Sequence, residues 1–193
     1  SIKCIPRKSK DIVLIGLGLL GQITLRILKA KGYNCIVFDL DINKIKLAEK
    51  YGAIGVHENL IETVLNYTNG KGADSTIIAA ASDSNNIINE ATSYTKRKGK
   101  IISSGAIGLN LIRDKFFKKQ IELVVSNSSG DKNHKGEGSS YENIKHFFEL
   151  ISINKLKVID LISEETDFEN PDSIYSFPNE SMFFTKLIKY ENN

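Results

Sequence analysis

Gly16, Gly18 and Gly21 stand as G-x-G-x-x-G between an apolar run, residues 12–15, and a segment of helical period that begins near residue 20. Few folds accept that arrangement. A strand, a tight glycine turn and a helix in direct succession belong to sheets whose helices cross over between parallel strands. Each glycine has a physical job there. The first permits the turn, the second lets backbone approach a pyrophosphate, and the third lets helix and strand pack closely.

The rest of the chain continues the alternation. Apolar runs at 35–38, 54–56, 76–80, 101–104 and 121–125 are separated by helix-period segments at 43–51, 60–67, 87–94 and 113–119. The first helix, about 20–31, carries Ile23, Ile27 and Ala30 on one face and stops at Gly32, while Gly52 closes the second. Six strands with helical crossovers predict an α/β fold with a doubly wound, mostly parallel sheet of order 3-2-1-4-5-6, a Rossmann domain over 11–127. A polar, glycine-rich loop follows at 128–140. The remainder, 141–193, begins with an amphipathic helix over 141–153 whose apolar face is Ile144, Phe147, Phe148 and Ile151. Residues 158–162, an irregular acidic stretch at 164–172 and a strand-like run at 183–190 complete a tail that does not read as part of the sheet.

At 193 residues the chain is long enough for a substantial core. A net charge of +3 is too small to imply nucleic acid, and Lys96, Arg97, Lys98 and Lys100 around Gly99 read as a solvated turn. Cys4 and Cys35 make neither zinc spacing nor a disulfide framework, which suggests a reducing compartment. No signal-peptide pattern and no apolar stretch of membrane-spanning length is visible, so a cytoplasmic location is expected.

The motif predicts a dinucleotide site. A pyrophosphate sits over the first amides of the helix, at Leu19, Leu20 and Gly21, where unpaired N–H groups and the helix dipole favour negative charge. Asp39 lies 18 residues after Gly21, at the end of the second strand, where a carboxylate accepts the adenosine ribose hydroxyls and repels a 2′-phosphate. The cofactor predicted is therefore NAD. Asp41 is the rival acid, and it reads better as solvated or as the cap of the helix near Asn43. Lys44 either reaches the adenosine side or is a surface lysine. His57, His134 and His146 are scattered and read as surface or loop residues. Ser103 and Ser104 follow the fifth strand without a G-x-S-x-G elbow. Tyr94 and Lys98 lie at a helix end that faces away from the cofactor. No catalytic or metal-ligating residue is assigned.

"IGLGLLGQ", "VFDLDINKIKLAEKYGA", "GKGADSTIIAAA" and "KGKIISSGAIG" occur in an order that resembles the nucleotide-binding half of the medium-chain dehydrogenase/reductase family, the zinc alcohol and polyol dehydrogenases. The tail segments "FFELISINKLKVIDLIS" and "FTKLIKY" resemble that family's return to its catalytic domain, so the resemblance runs from about residue 11 to 190. It implies an NAD-dependent oxidoreductase for alcohols, polyols or sugars. It also implies that backbone near Ala80, Ala81, Gly105, Ala106 and Ser126 lines the nicotinamide side. The family's GroES-like domain with zinc ligands has no counterpart in these residues. The expectation is a cofactor-binding half, inactive alone, with a fused or separate catalytic partner. Many relatives continue one sheet into another across a two-fold axis. Here the sixth strand is apolar at Ile121, Leu123, Val124 and Val125, with only Glu122 to discourage pairing, so a homodimer is expected. A regulatory dinucleotide sensor of the kind that gates potassium transport shares the glycines and the acid. The "GADSTIIAAA" half and the tail favour the dehydrogenase. Intact glycines and Asp39 argue against a remnant that no longer binds.

Overall fold

Along β1 (Asp11–Ile15) alternate side chains enter different layers, as the two-residue period of a strand requires. The computed structural model describes residues 2–126, 140–176 and 184–190. After β1 come α1 (Leu19–Ala30), β2 (Asn34–Phe38), α2 (Ile42–Glu49), β3 (Ile54–Val56) and α3 (Leu60–Tyr67). The second half has β4 (Ala73–Ile78), α4 (Asn86–Tyr94), β5 (Thr95–Ser103), α5 (Arg113–Lys119) and β6 (Glu122–Val125). These six strands form one parallel sheet of order β3-β2-β1-β4-β5-β6, the doubly wound order that the sequence predicts.

Two apolar layers hold the sheet. Ile12 and Leu14, with Cys35 and Val37 from β2, pack against Leu25 and Leu28 of α1 and Ile45 and Ala48 of α2. Val13, Ile15 and Ile36 enter the other layer with Val64 of α3 and Ile88 and Ala91 of α4. Each fully buried aliphatic side chain contributes about 1.5–3 kcal/mol, which is why both faces of this sheet are covered.

The face of α1 differs from expectation. Ile23, Ile27 and Ala30 are only half-buried, and Gly21, Leu25 and Leu28 face the sheet instead. The reason is Gly21, which must face the glycine turn and thereby sets the helix rotation. Gly32 (φ +83°) and Gly52 (φ +76°) close α1 and α2 in the left-handed region.

The basic run at 96–100 is not a simple turn. It lies inside β5, whose pairing with β4 shifts register between Ala73/Thr95 and Ser75/Lys100. Asp74 organises this bulge. Its carboxylate accepts the Lys10 N–H (2.6 Å) and the Asp11 N–H (3.0 Å) and pairs with the Lys96 ammonium. Strand β4 accordingly starts at Ala73 rather than 76.

The tail holds more order than its composition suggests. Helix α6 (Ser140–Ser152) includes residue 140, and the rest of the loop expected at 128–140 lies outside the described residues. On α6, Ile144 and Phe148 are exposed and Leu150 is the buried residue. The acidic stretch expected to be irregular forms β7 (Ile162–Asp167), which pairs in parallel with β8 (Thr185–Lys189) in a separate two-stranded sheet. A short helix, α7 (Pro171–Tyr175), lies between them in sequence. The buried Arg26 of α1 anchors this tail. Its guanidinium donates to both Asp160 oxygens (2.5 and 2.9 Å) and to the Lys157 carbonyl (2.7 Å), and stacks 4.0 Å over Tyr51.

Candidate dinucleotide-binding site

The three glycines play different roles. Gly16 adopts φ +89°, and a Cβ there would lie 2.6 Å from the Ala80 nitrogen. A Cβ on Gly21 would overlap the Gly16 carbonyl, so the third glycine meets the first rather than the strand itself. Gly18 is exposed, extended, and has nothing within 4 Å of where a Cβ would stand. The turn is therefore crowded on its protein side and open on its outer side. Gly18 is the N-cap of α1 and no side chain caps the helix, which leaves Leu19 and Leu20 at an uncapped terminus. A diphosphate fits such a cradle, since it supplies the acceptors that a capping side chain would otherwise supply.

Asp39 is tied to that turn. Leu17 N–H donates to its Oδ2 (2.6 Å) and Asp41 N–H to its Oδ1 (2.9 Å), leaving the half-buried carboxylate oriented and still able to accept further hydrogen bonds. Asp41 caps α2 by accepting from the Asn43 N–H at 2.9 Å. Lys44 Nζ lies 3.9 Å from Asp41 Oδ2, and its carbonyl accepts from Gln22 of α1 (3.0 Å). The lysine is thus held on the Asp41 side of the site.

The remaining predicted positions sit at the same carboxyl edge. Ala80 is pressed from both sides: Gly16 approaches its nitrogen, and a Cβ on Gly105 would overlap its carbonyl. Ala81 and Ala106 are exposed, and the Ala106 carbonyl accepts from Ser82 N–H (2.8 Å). Ser126 directly follows β6, with its N–H on the Ser103 carbonyl (2.8 Å). The hydroxyls of Ser103 and Ser104 are spent on backbone carbonyls, those of Gly105 and Ile78.

One feature escaped sequence reasoning. A cleft of about 850 Å³ opens between α3 and α4, and its floor includes Ile15 and Phe38, the residues directly before Gly16 and Asp39. Leu60, Ile87, Glu90 and Tyr94 line it, and so does His57, whose Nε2 lies 3.3 Å from the Leu40 carbonyl. Only the apolar character of Ile15 and Phe38 hinted at it, and that reads equally as core.

The other titratable candidates do not converge here. Lys98 is exposed at φ +58° in the bulge and Tyr94 is buried at the end of α4. His146 lies on α6 beside Glu149 (3.6 Å), and His134 lies outside the described residues. Burial pushes the Cys35 thiol up to about 12, so it is an inert core residue. Among the described residues no three His, Cys, Asp or Glu side chains are grouped to hold a metal ion.

A family model described as zinc-binding dehydrogenase matches residues 20–151. The chain belongs to the zinc-binding dehydrogenase family. The match falls on the nucleotide-binding half to which the sequence motifs point. The metal of the family's name finds no ligand set among the described residues. The solved structures that share the fold include three dehydrogenases. An alcohol dehydrogenase from Thermus sp. ATN1 superposes with a TM-score of 0.77 at 16% identity, covering 96% of this chain and 52% of its own. An alcohol dehydrogenase from Aeropyrum pernix gives 0.69 at 18% identity, with coverage of 89% and 47%. Galactitol-1-phosphate dehydrogenase from Escherichia coli gives 0.66 at 17% identity, with coverage of 83% and 47%. The chain spans about half the length of these structures. No helix among the described residues is long and apolar enough to cross a membrane.

Proposed function

We propose that the chain holds NAD(H) as the dinucleotide-binding half of an oxidoreductase acting on alcohols, polyols or sugars. The observation that carries this reading is the Asp39 carboxylate, held at 2.6 Å by the Leu17 N–H of the glycine turn, beside an uncrowded Gly18. In this reading the pyrophosphate lies over Gly18 and the amides of Leu19, Leu20 and Gly21, and the ribose hydroxyls bond Asp39. The adenine enters the cleft between α3 and α4, with Lys44 on the adenosine side. The nicotinamide lies along Ala80, Ala81, Gly105, Ala106 and Ser126. When bound, NAD supplies the site that accepts or donates hydride, while the chain's own residues bind it, orient it and repel a 2′-phosphate.

Polarising an alcohol oxygen needs a positioned acid, base or metal. The residues gathered at the carboxyl edge are glycines, alanines and backbone-bonded serines, so that group comes from a catalytic half, fused or separate, in a cytoplasmic enzyme. Two copies associate through the open edge of β6. The alternative, a dinucleotide sensor without redox chemistry, shares the glycines and Asp39, and the family match over 20–151 favours the dehydrogenase.

Calorimetric titration of the purified chain with NAD⁺, NADH and NADP⁺, followed by assay with small alcohols, polyols and sugars, tests this reading. Binding of NAD(H) with little turnover is the expected result. Absence of NAD(H) binding overturns the cofactor role, and turnover at ordinary enzyme rates overturns the need for a second half.

A further inference from the structure

Residues 104–112 run between β5 and α5 and carry Gly105 and Ala106 along the carboxyl edge of the sheet. Packing does not fix the outer part of this segment, since Leu109, Leu111 and Ile112 are all exposed. Two amides at the start of α4 hold it instead. Asn85, the N-cap of α4, accepts the Asn110 N–H on its Oδ1 (2.8 Å), and Asn89, one turn later, donates from Nδ2 to the Asn110 carbonyl (2.8 Å). Both backbone groups of Asn110 are thereby answered by side chains of one helix. Asn89 is 6% exposed and fully used, because its Nδ2 also donates to the Asn85 carbonyl and its Oδ1 accepts the Ile112 N–H, both at 2.8 Å. Turned over, that amide would set its oxygen against two carbonyls, so only one orientation serves. The clamp reaches the site through backbone. Gly108 N–H donates to the Ser82 carbonyl (3.2 Å), and Ser82 N–H donates to the Ala106 carbonyl (2.8 Å). A Cβ on Gly108 would overlap Asn85 Oδ1, so the segment is seated directly on that side chain.

We infer that Asn85 and Asn89 are positioning residues for the nicotinamide half of the dinucleotide, holding Gly105 and Ala106 where the ring meets them. This inference rests on the dinucleotide reading above and names side chains that act on the ring without touching it. A segment already held in place need not be ordered by the ligand, whereas a loosened one lowers affinity in proportion to the time it spends out of place. That loss falls only on ligands that reach Gly105 and Ala106.

Calorimetric titration with NADH and with ADP-ribose, which keeps the adenosine, the pyrophosphate and the second ribose but lacks the ring, tests the clamp. The wild-type chain should bind NADH the more tightly. Asn85→Ala, at a half-buried position, should weaken NADH binding about fivefold, the scale of one neutral hydrogen bond, and leave ADP-ribose unchanged. Asn89→Leu removes the bonds to Asn110 and Ile112 together and should weaken NADH further, again with ADP-ribose unchanged. Asp160→Ala, which loosens the tail instead, should leave both affinities as in wild type, so lost stability alone does not imitate the effect. The wild-type chain supplies a reading that needs no variant: NADH, and not ADP-ribose, should slow hydrogen exchange at the Asn110 and Ile112 amides. If the wild-type chain binds the two ligands equally, if either asparagine variant weakens both alike or neither, or if ADP-ribose slows exchange as much as NADH, the clamp is wrong and the dinucleotide reading stands. If the wild-type chain binds neither ligand, both fail.

Discussion

The Leu17 N–H and the Asp39 carboxylate meet at 2.6 Å, although 22 residues separate them in sequence. This bond makes the acid at the end of β2 part of the glycine turn at the end of β1. Movement of either would misplace the other, so ribose and pyrophosphate recognition are mechanically linked.

The Asp39 variants should separate charge from geometry. Asp39→Asn keeps one acceptor oxygen, which can serve Leu17, and removes the charge, but turns an NH2 toward the Asp41 N–H, so it should narrow the gap between NAD⁺ and NADP⁺ with a smaller loss of stability than alanine causes. Like-charge juxtaposition costs several kcal/mol, so the wild-type gap should span tens- to thousands-fold. Asp39→Ala should narrow it too, but should also lower stability by about 1–3 kcal/mol by stranding the Leu17 and Asp41 N–H groups. Calorimetric titration and denaturant unfolding of both variants make the comparison, and an unchanged gap in Asp39→Asn refutes the role of the charge.

Gly18→Ala and Gly21→Ala should fail in different ways. Alanine at 18 points into open space and should leave the unfolding midpoint near wild type while weakening dinucleotide binding. Alanine at 21 overlaps the Gly16 carbonyl, an overpacking that costs about 1–3 kcal/mol or more. Thermal unfolding with and without NAD⁺ distinguishes them. A stable Gly18→Ala chain with undiminished affinity contradicts the proposed pyrophosphate position.

The Arg26–Asp160 pair should dominate attachment of the tail. Arg26 is 2% exposed, and removing the Asp160 carboxylate leaves a buried charge supported by the Lys157 carbonyl and the face of the Tyr51 ring. Asp160→Ala should cost about 3 kcal/mol, the low end for a broken buried pair, because the Asp160 side chain is itself 37% exposed. Hydrogen exchange should show faster opening around 157–167 in this variant, and unchanged protection there would refute the anchor.

Acid should loosen the same region. Burial pushes the Asp160 carboxyl up, but the bonds from Arg26 and Tyr51 outweigh it and leave the carboxyl below its ordinary value. Asp74 is likewise lowered: burial raises it, and the Lys10 N–H, the Lys96 ammonium and the Asp11 N–H together lower it further. A carboxylate lowered in the folded state stabilises it above the unfolded value of about 4, and that contribution is lost as pH falls through the folded value. The unfolding midpoint should therefore hold near neutral pH and drop below about pH 4, with a shallower drop in Asp160→Asn.

Self-association should use the edge of the sheet. Among the described residues β6 pairs with β5 alone, and Val125 (64% exposed) and Phe117 (65% exposed) leave apolar surface beside a hollow of about 420 Å³ lined by Leu111, Phe116 and Leu123. Light scattering should give twice the chain mass, and Val125→Lys with Phe117→Lys should give the monomer. A wild-type monomer at high micromolar concentration counts against the interface.

Much of the architecture was legible because it is periodic. Two-residue alternation, helical spacing and the glycines at 16, 18 and 21 are properties of neighbouring residues, and they sufficed for the six-strand order and for the residues around the turn. The errors fell where a distant partner intervenes. Gly21 turned α1 so that Leu25 and Leu28, not Ile23 and Ile27, meet the sheet. Asp74 drew Lys96 into a bulged strand. An acidic stretch with no apolar period became β7 because β8 lies beside it.

By itself, then, the sequence determined the strand–turn–helix succession and the position of Asp39 at its end, since local sterics and hydrophobic period act over a few residues. Tertiary structure alone decided that Arg26 would meet Asp160 across 134 residues, and that α3 and α4 would part to form a cleft with Tyr94 inside it. Such pairings depend on how packed layers settle against one another, and no local pattern encodes a contact whose partner is a hundred residues away.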